Sequence, residues 1–206
     1  KLGGLADVDI ASASFNGVDG IRIYGTGGSK LGISVSSAGD INGDDIDDFI
    51  IGANEYTRTS PTVANFVGMA LIIFGKLSGW ADIDIASFTS ASGLGFRVIG
   101  NPNDKLGTSV AGAGDVNNDG LAEIIIGVPG QGRSGKSEVG FAYIFFGRAT
   151  PFADIDFSTY TKSYTTEYFL LGSVSMDRVS EVVTGGFDLN NDGFSDVAVG
   201  TSTSGL

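Results

Sequence analysis

Three loops of this chain alternate side chains whose only donors are oxygens. The first reads Asp40-Ile41-Asn42-Gly43-Asp44-Asp45-Ile46-Asp47-Asp48, the second Asp115-Val116-Asn117-Asn118-Asp119-Gly120-Leu121-Ala122-Glu123, and the third Asp188-Leu189-Asn190-Asn191-Asp192-Gly193-Phe194-Ser195-Asp196. Positions 1, 3, 5 and 9 are therefore Asp, Asn, Asp and a carboxylate in every copy. A donor set of carboxylates and carboxamides, with no imidazole or thiolate, suits Ca²⁺ and disfavours a transition metal. The backbone carbonyl at position 7 (Ile46, Leu121 or Phe194) offers one more ligand, while the apolar side chain there is free to pack inward. The expected load is one ion per loop, about three in all.

Asp, Asn and Gly also form plain turns, so one such loop would carry little weight. Three copies at matched positions favour the metal reading. An EF-hand loop would need a carboxylate at position 12 and flanking helices. Position 12 here is Ile51, Ile126 or Val199, and strand-like sequence flanks each loop.

The loops also set a period. Their starts are 75 and 73 residues apart (40 to 115, 115 to 188), and other segments repeat in step. Leu5-Ala6-Asp7-Val8-Asp9-Ile10-Ala11-Ser12 returns as Trp80-Ala81-Asp82-Ile83-Asp84-Ile85-Ala86-Ser87 and again as Phe152-Ala153-Asp154-Ile155-Asp156-Phe157-Ser158. Gly68-Met69-Ala70-Leu71-Ile72-Ile73-Phe74-Gly75 returns as Gly140-Phe141-Ala142-Tyr143-Ile144-Phe145-Phe146-Gly147. Such tandem repetition governs the whole fold. The units run approximately 1–75, 76–147 and 148–206, the last incomplete, in one array over 1–206.

Short β-branched or aromatic runs, bounded by Gly, Asn or Asp, predict strands at 21–24, 31–38, 49–53, 70–74, 96–99, 106–113, 123–128, 142–146, 169–171, 179–184 and 197–199. Linkers are expected at 55–67, 75–95, 130–139 and 147–168. No segment predicts an amphipathic helix. About four strands per period fit one propeller blade. Ile50-Ile51-Gly52-Ala53 and Ile124-Ile125-Ile126-Gly127-Val128 are apolar on both faces, as a strand between neighbouring blades must be. The small-residue run Gly107-Thr108-Ser109-Val110-Ala111-Gly112-Ala113-Gly114 suits a crowded inner strand.

Leu106-Gly107-Thr108-Ser109-Val110-Ala111-Gly112-Ala113-Gly114-Asp115-Val116-Asn117-Asn118-Asp119-Gly120, followed by Ile124-Ile125-Ile126-Gly127-Val128-Pro129, resembles the FG-GAP repeat of integrin α subunits and bacterial surface proteins. The resemblance covers nearly the whole chain. It implies an all-β, partial β-propeller of four-stranded FG-GAP blades with Ca²⁺-binding hairpin loops. It implies an extracellular or cell-surface adhesion or scaffolding role. The first copy departs from the pattern with Asp45 at loop position 6 and Asn54 in place of Pro. The third has Val179-Ser180-Glu181-Val182-Val183 for the Gly-x-Ser-Val core, and Phe187 where Gly39 and Gly114 stand. Three periods do not close a seven-bladed ring. The chain reads as an arc: one outer strand, two full blades and half of another. Further blades of the same chain or another subunit are expected at its open edges.

Composition agrees. The net charge is −12, and nine of the 24 acidic residues are the loop carboxylates. Three divalent cations would halve that charge, and the acidity argues against nucleic acid. The chain has no Cys, which excludes disulfides and thiolate metal sites. It has no apolar run long enough to insert in a membrane. It begins without Met or a signal segment and reads as a piece of a longer protein. Millimolar extracellular Ca²⁺ would fill modest loop sites that stand empty in the cytosol.

Catalytic signals are sparse. With no His and no Cys the commonest general bases and nucleophiles are missing, and no Gly-x-Ser-x-Gly elbow occurs. Gly130-Gln131-Gly132-Arg133-Ser134-Gly135-Lys136-Ser137 matches the phosphate-binding loop pattern. A strand follows it rather than the helix whose N-terminus phosphate binding requires. A surface hairpin is expected instead. Asp7, Asp9, Asp82, Asp84, Asp154 and Asp156 alternate with apolar residues and are expected on the solvated face of an edge strand. Trp80 is expected to pack at a blade edge. The sequence thus supports a non-catalytic calcium-binding module that presents blade loops, foremost 55–67 and 130–139, to a protein or glycan ligand. The alternative is an assembly module of a surface filament, or an accessory domain attached to an enzyme in a larger parent protein.

Overall fold

The computed structural model describes residues 20–58, 66–149, 151–161, 167–171 and 176–202. Asp7 and Asp9 and most of the 55–67 segment lie outside them. Among the described residues the chain is all-β: thirteen strands and one 3₁₀ turn at Ser90–Ser92. The strands are β1 (Ile23–Tyr24), β2 (Ser34–Gly39), β3 (Asp48–Ala53), β4 (Met69–Ile73), β5 (Ile83–Asp84), β6 (Gly95–Ile99), β7 (Val110–Gly114), β8 (Glu123–Val128), β9 (Phe141–Phe145), β10 (Ile155–Asp156), β11 (Glu167–Leu171), β12 (Val182–Phe187) and β13 (Asp196–Gly200). No helix among these residues is long and apolar enough to cross a membrane.

Four sheets result, in the orders β1-β5, β10-β6-β4-β3-β2, β11-β9-β8-β7 and β12-β13. The strands β2, β3, β4 and β6 form an antiparallel meander, and β7, β8, β9 and β11 repeat it. Two strands were missed in the sequence because they are two residues long and show no periodicity. β5 and β10 lie in segments expected to be linkers. Each leaves its own repeat and pairs in parallel with the outer strand of the preceding sheet, Ile83 opposite Ile23 and Ile155 opposite Val98. β2, β7 and β12 begin three to four residues later than predicted. Positive-φ turns at Lys30, Gly32, Lys105, Gly107, Arg178 and Ser180 occupy the residues ahead of them.

Both large sheets are buried on both faces, which explains the unbroken apolar runs. One face of the first sheet (Ile50, Ile72, Phe96, Val98) meets Ile124, Ile126, Tyr143 and Phe145 of the second. Its other face (Leu71, Ile73) packs on Ile83, Ile85 and Phe88, with Trp80 at the margin, as expected for a packing residue. The far face of the second sheet (Ile125, Ile144) meets Val183. Phe96 stacks on Phe152 at 4.5 Å, and the Arg148 guanidinium covers Phe152. β7 lies against both β2 and β12. The Ser34 hydroxyl accepts the Val110 N–H at 3.0 Å, and the Ser109 hydroxyl accepts the Val183 N–H at 3.0 Å. The third copy has Val182 at that serine position, and it is 63% exposed.

Of the repeated aspartates, Asp82 and Asp84 are exposed, as expected of a solvated face, while Asp154 and Asp156 are half-buried, and all four have partners. Asp82 accepts the Arg22 backbone N–H at 2.8 Å and its guanidinium at 2.6 Å; Asp154 accepts the Arg97 backbone N–H at 2.9 Å and its guanidinium at 2.6 Å. Asp84 caps the Ala86 N–H, and Asp156 caps Ser158 and pairs with Arg58. The outer strand of one sheet supplies the arginine that its neighbour's crossover aspartate needs.

Candidate metal centre

Each candidate loop joins the first two strands of a sheet: β2 to β3, β7 to β8, and β12 to β13. A bulge precedes each loop, with the register shifting between Ser37 and Gly39, Gly112 and Gly114, and Gly185 and Phe187. The left-handed residue there is Gly39 or Gly114 in the first two copies. In the third, Phe187 takes an ordinary conformation and Gly186 turns left-handed one residue earlier. The divergent third copy therefore reaches the same bulge by another route.

Inside the loops one hydrogen-bond pattern recurs. The position-1 carboxylate accepts the N–H of position 5 at 3.1 Å in all three copies (Asp40 from Asp44, Asp115 from Asp119, Asp188 from Asp192). It also accepts the N–H of position 6, from Asp45, Gly120 or Gly193, at 2.8–2.9 Å. The position-3 amide oxygen accepts the position-5 N–H at 2.9 Å, and its NH₂ donates to the position-5 carboxylate. The position-5 carboxylate accepts the position-7 N–H. This curl requires left-handed residues at position 6: Gly120 and Gly193 at φ 90°, and Asp45 at φ 65°. The first loop therefore has the same turn as the others, with a side chain where they have glycine.

Position 9 closes each loop from the next strand. Asp48 accepts the Ile41 N–H at 3.0 Å, Glu123 the Val116 N–H at 2.7 Å, and Asp196 the Leu189 N–H at 2.7 Å. Asp48 and Glu123 reach further, accepting the N–H of Gly75 and Gly147 just beyond the third strand. Both are buried, at 2% and 0% exposure. Burial, with the nearby Asp44 and Asp40 adding to it, pushes the Asp48 carboxyl up to about 6, against the amide donors that favour its anion. Burial likewise pushes Glu123 up to about 7, with Asp119 and Asp115 adding repulsion. Asp188 in the exposed third loop moves the other way: the Gly193 N–H leads a set of amides that lower it. Two buried acids held beside further carboxylates are groups that a cation would stabilise as anions.

In the second loop the carboxylate oxygens of Asp115, Asp119 and Glu123 lie within 4.8 Å of one another. That spacing and the all-oxygen donors fit a hard divalent cation. Among the described residues this is the acidic trio that converges so closely. In the first and third loops Asp40, Asn42, Asp44 and Asp48, and Asp188, Asn190, Asp192 and Asp196, share the hydrogen bonds. Ile46, Leu121 and Phe194 hold position 7 in each, Ile46 and Leu121 half-buried and Phe194 42% exposed. The sequence singled out these residues as candidate ligands; it gave no sign of Gly75 and Gly147 as donors, because their amides carry no side-chain signal.

The phosphate-loop pattern at 130–137 is a hairpin between β8 and β9. Arg133 and Lys136 exchange backbone hydrogen bonds at 2.9 Å around Ser134 and Gly135, both left-handed. This is the two-residue turn that twisted strands favour, and no helix follows it.

Residues 106–145, spanning β7 to β9 and the converging trio, match the FG-GAP repeat family. The chain is 31% identical to integrin alpha-V of Gallus gallus over 66% of its length, and 27% identical to integrin alpha-PS2 of Drosophila melanogaster over 86%. It is 28% identical to integrin alpha-X of Homo sapiens over 84%. The chain spans 12% of the first two relatives and 13% of the third.

Proposed function

This is a chain of the FG-GAP repeat family, and on that premise we propose that it is a calcium-binding arc of a β-propeller serving adhesion or scaffolding at the cell surface or outside the cell, without catalysis of its own. Three ions, one per loop, are held by Asp40, Asn42, Asp44, Asp48 and the Ile46 carbonyl; by Asp115, Asn117, Asp119, Glu123 and the Leu121 carbonyl; and by Asp188, Asn190, Asp192, Asp196 and the Phe194 carbonyl. The observation that carries this reading is the convergence of Asp115, Asp119 and Glu123 within 4.8 Å, in a loop whose hydrogen bonds recur in both other copies. Bound Ca²⁺ offsets the repulsion of carboxylates that the hairpin forces together. The loops that result present a rigid surface to a protein or glycan partner.

The arc consists of an outer strand, two four-stranded blades and half of a third, in one array over 1–206 with repeat units near 1–75, 76–147 and 148–206. A second reading, as an assembly module seated against other blades or subunits, is favoured by the exposed apolar residues at its two ends, Val35 at 61% and Val182 at 63%. The test is thermal unfolding with Ca²⁺ and with EGTA beside calorimetric titration. A midpoint raised by Ca²⁺ with about three sites is expected, since a ligand that binds only the folded chain stabilises it. Neither heat nor shift would reduce the loops to plain turns.

A further inference from the structure

The three loops are wired in series through their backbones. The Asp40 carbonyl of the first loop accepts the Ala122 N–H of the second at 2.9 Å, and the Asp115 carbonyl of the second accepts the Ser195 N–H of the third at 2.9 Å. Both donors stand at loop position 8 and both acceptors at position 1. The packing is equally close: a Cβ built on Gly39 would lie 2.6 Å from the Ala122 Cβ, so the bulge of one loop leaves no space before the next.

The peptide that donates is the one whose oxygen is the proposed position-7 ligand. The Ala122 N–H and the Leu121 carbonyl belong to one planar unit, as do the Ser195 N–H and the Phe194 carbonyl. In a trans peptide the two groups point in opposite directions, and no described peptide is cis. With its N–H on Asp40, the 121–122 unit directs the Leu121 oxygen away from the first loop. The Asp40 residue that receives the bond also supplies the position-1 carboxylate of its own loop, which holds the N–H groups of Gly43, Asp44 and Asp45.

We infer that these two peptide units couple cation binding between adjacent loops, so that the sites fill cooperatively, with the second loop as the shared link. The inference rests on the calcium reading given above. Fixing the orientation of the Leu121 carbonyl fixes its N–H, and with it the backbone of Asp40. Hydrogen bonds in a chain also polarise one another, so an engaged carbonyl makes its own N–H a stronger donor. The coupling runs between neighbours: the first and third loops communicate only through the second.

The test is calorimetric titration of the full chain with Ca²⁺, for the native sequence and for Ala122→Pro and Ser195→Pro. Each proline removes one relay N–H and no proposed ligand, one residue ahead of a strand; its ring also crowds the acceptor carbonyl, so Asp192→Asn serves as the variant that leaves the backbone unchanged. The native isotherm should be steeper than that of independent sites. Ala122→Pro should weaken the first loop several-fold, within the roughly 5–150-fold range of site–site coupling, while the second and third stay linked. Ser195→Pro should free the third loop and leave the first pair linked. Ala122→Ser, which keeps the N–H, should behave as the native chain. Asp192→Asn gives a second route through the third loop alone: Ca²⁺ affinity at the second loop, followed by the Leu121 and Ala122 amide resonances, should fall. Native-like isotherms in both proline variants, or an unchanged second loop in Asp192→Asn, overturn the coupling. A native chain that takes up no Ca²⁺ overturns the calcium reading itself, whereas three independent sites overturn the coupling alone.

Discussion

Arg97 and Asp154 lie 57 residues apart and meet in a three-point contact: backbone N–H at 2.9 Å, Nε at 3.1 Å and Nη2 at 2.6 Å. Arg22 and Asp82 repeat it one sheet earlier. In each case the aspartate sits just before the two-residue crossover strand, and the arginine just before the residue that pairs with that strand's first, Ile23 or Val98. The contact fixes which outer strand a crossover joins and in what register. A bidentate guanidinium–carboxylate pair is a directional contact, and the backbone N–H adds a third constraint.

The Arg97 and Asp154 side chains are only 16% and 23% exposed. Asp154→Ala should therefore cost about 1.5–3 kcal/mol, as lost charge-assisted hydrogen bonds do. Urea unfolding would measure it. Asp82→Ala should cost less, because the first pair is more exposed, at 32% and 28%. An equal loss at both positions would contradict this ranking.

The metal-free chain should lose stability as pH rises. Asp48 and Glu123 are pushed up to about 6 and about 7 by burial, so the folded state holds their protons more tightly than the unfolded state does. Their contribution is full below the ordinary carboxylate range and disappears as pH rises through those values. In EGTA the unfolding midpoint should fall between about pH 5 and about pH 8. With Ca²⁺ the trend should weaken or reverse, because the ligands must be deprotonated to bind. Parallel midpoint curves with and without Ca²⁺ would count against carboxylate ligation.

Ser180 tests how the third copy compensates for its divergence. It adopts φ 78° where Gly32 and Gly107 stand in the other copies, at φ 92° and 80°. Its fully buried hydroxyl accepts the Val128 N–H at 2.9 Å and donates to the Phe141 carbonyl at 2.5 Å, tying β12 to the second sheet. Ser180→Ala keeps the strained backbone and loses both bonds, so a loss of about 1–3 kcal/mol is expected. Ser180→Gly relieves the backbone and should lose less. Thermal melts would give the order native, Gly, Ala.

Asp45→Gly should stabilise the first loop. A non-glycine residue in the left-handed region costs roughly 1–2 kcal/mol, and the extra chain entropy of glycine offsets roughly 0.5–1 kcal/mol of the gain. The substitution also removes one carboxylate from the cluster. A net gain of a few tenths to about 1 kcal/mol is expected by chemical denaturation, and a loss would show that the Asp45 side chain has a role of its own.

The sequence by itself determined what is local. Oxygen donors two residues apart curl into the loop wherever Asp, Asn and Gly alternate, and the curl is the same in all three copies. Five or six mostly apolar residues between turns make a strand, and apolar character on both faces of 50–53 and 124–128 required sheets on either side. Even the P-loop lookalike could be set aside from the strand sequence that follows it. Tertiary structure decided what joins residues far apart in the chain. The crossover strands are too short to show a period, so only their partners reveal them. The arginine partners of Asp82 and Asp154 left no sign, because alternation shows which residues face outward and says nothing of an arginine 57 to 60 residues away. The Gly75 and Gly147 amides that hold Asp48 and Glu123, and the peptide units that link one loop to the next, involve backbone alone. Every residue carries the same backbone groups, so their pairing follows from how the sheets stack and leaves no mark on the residue types.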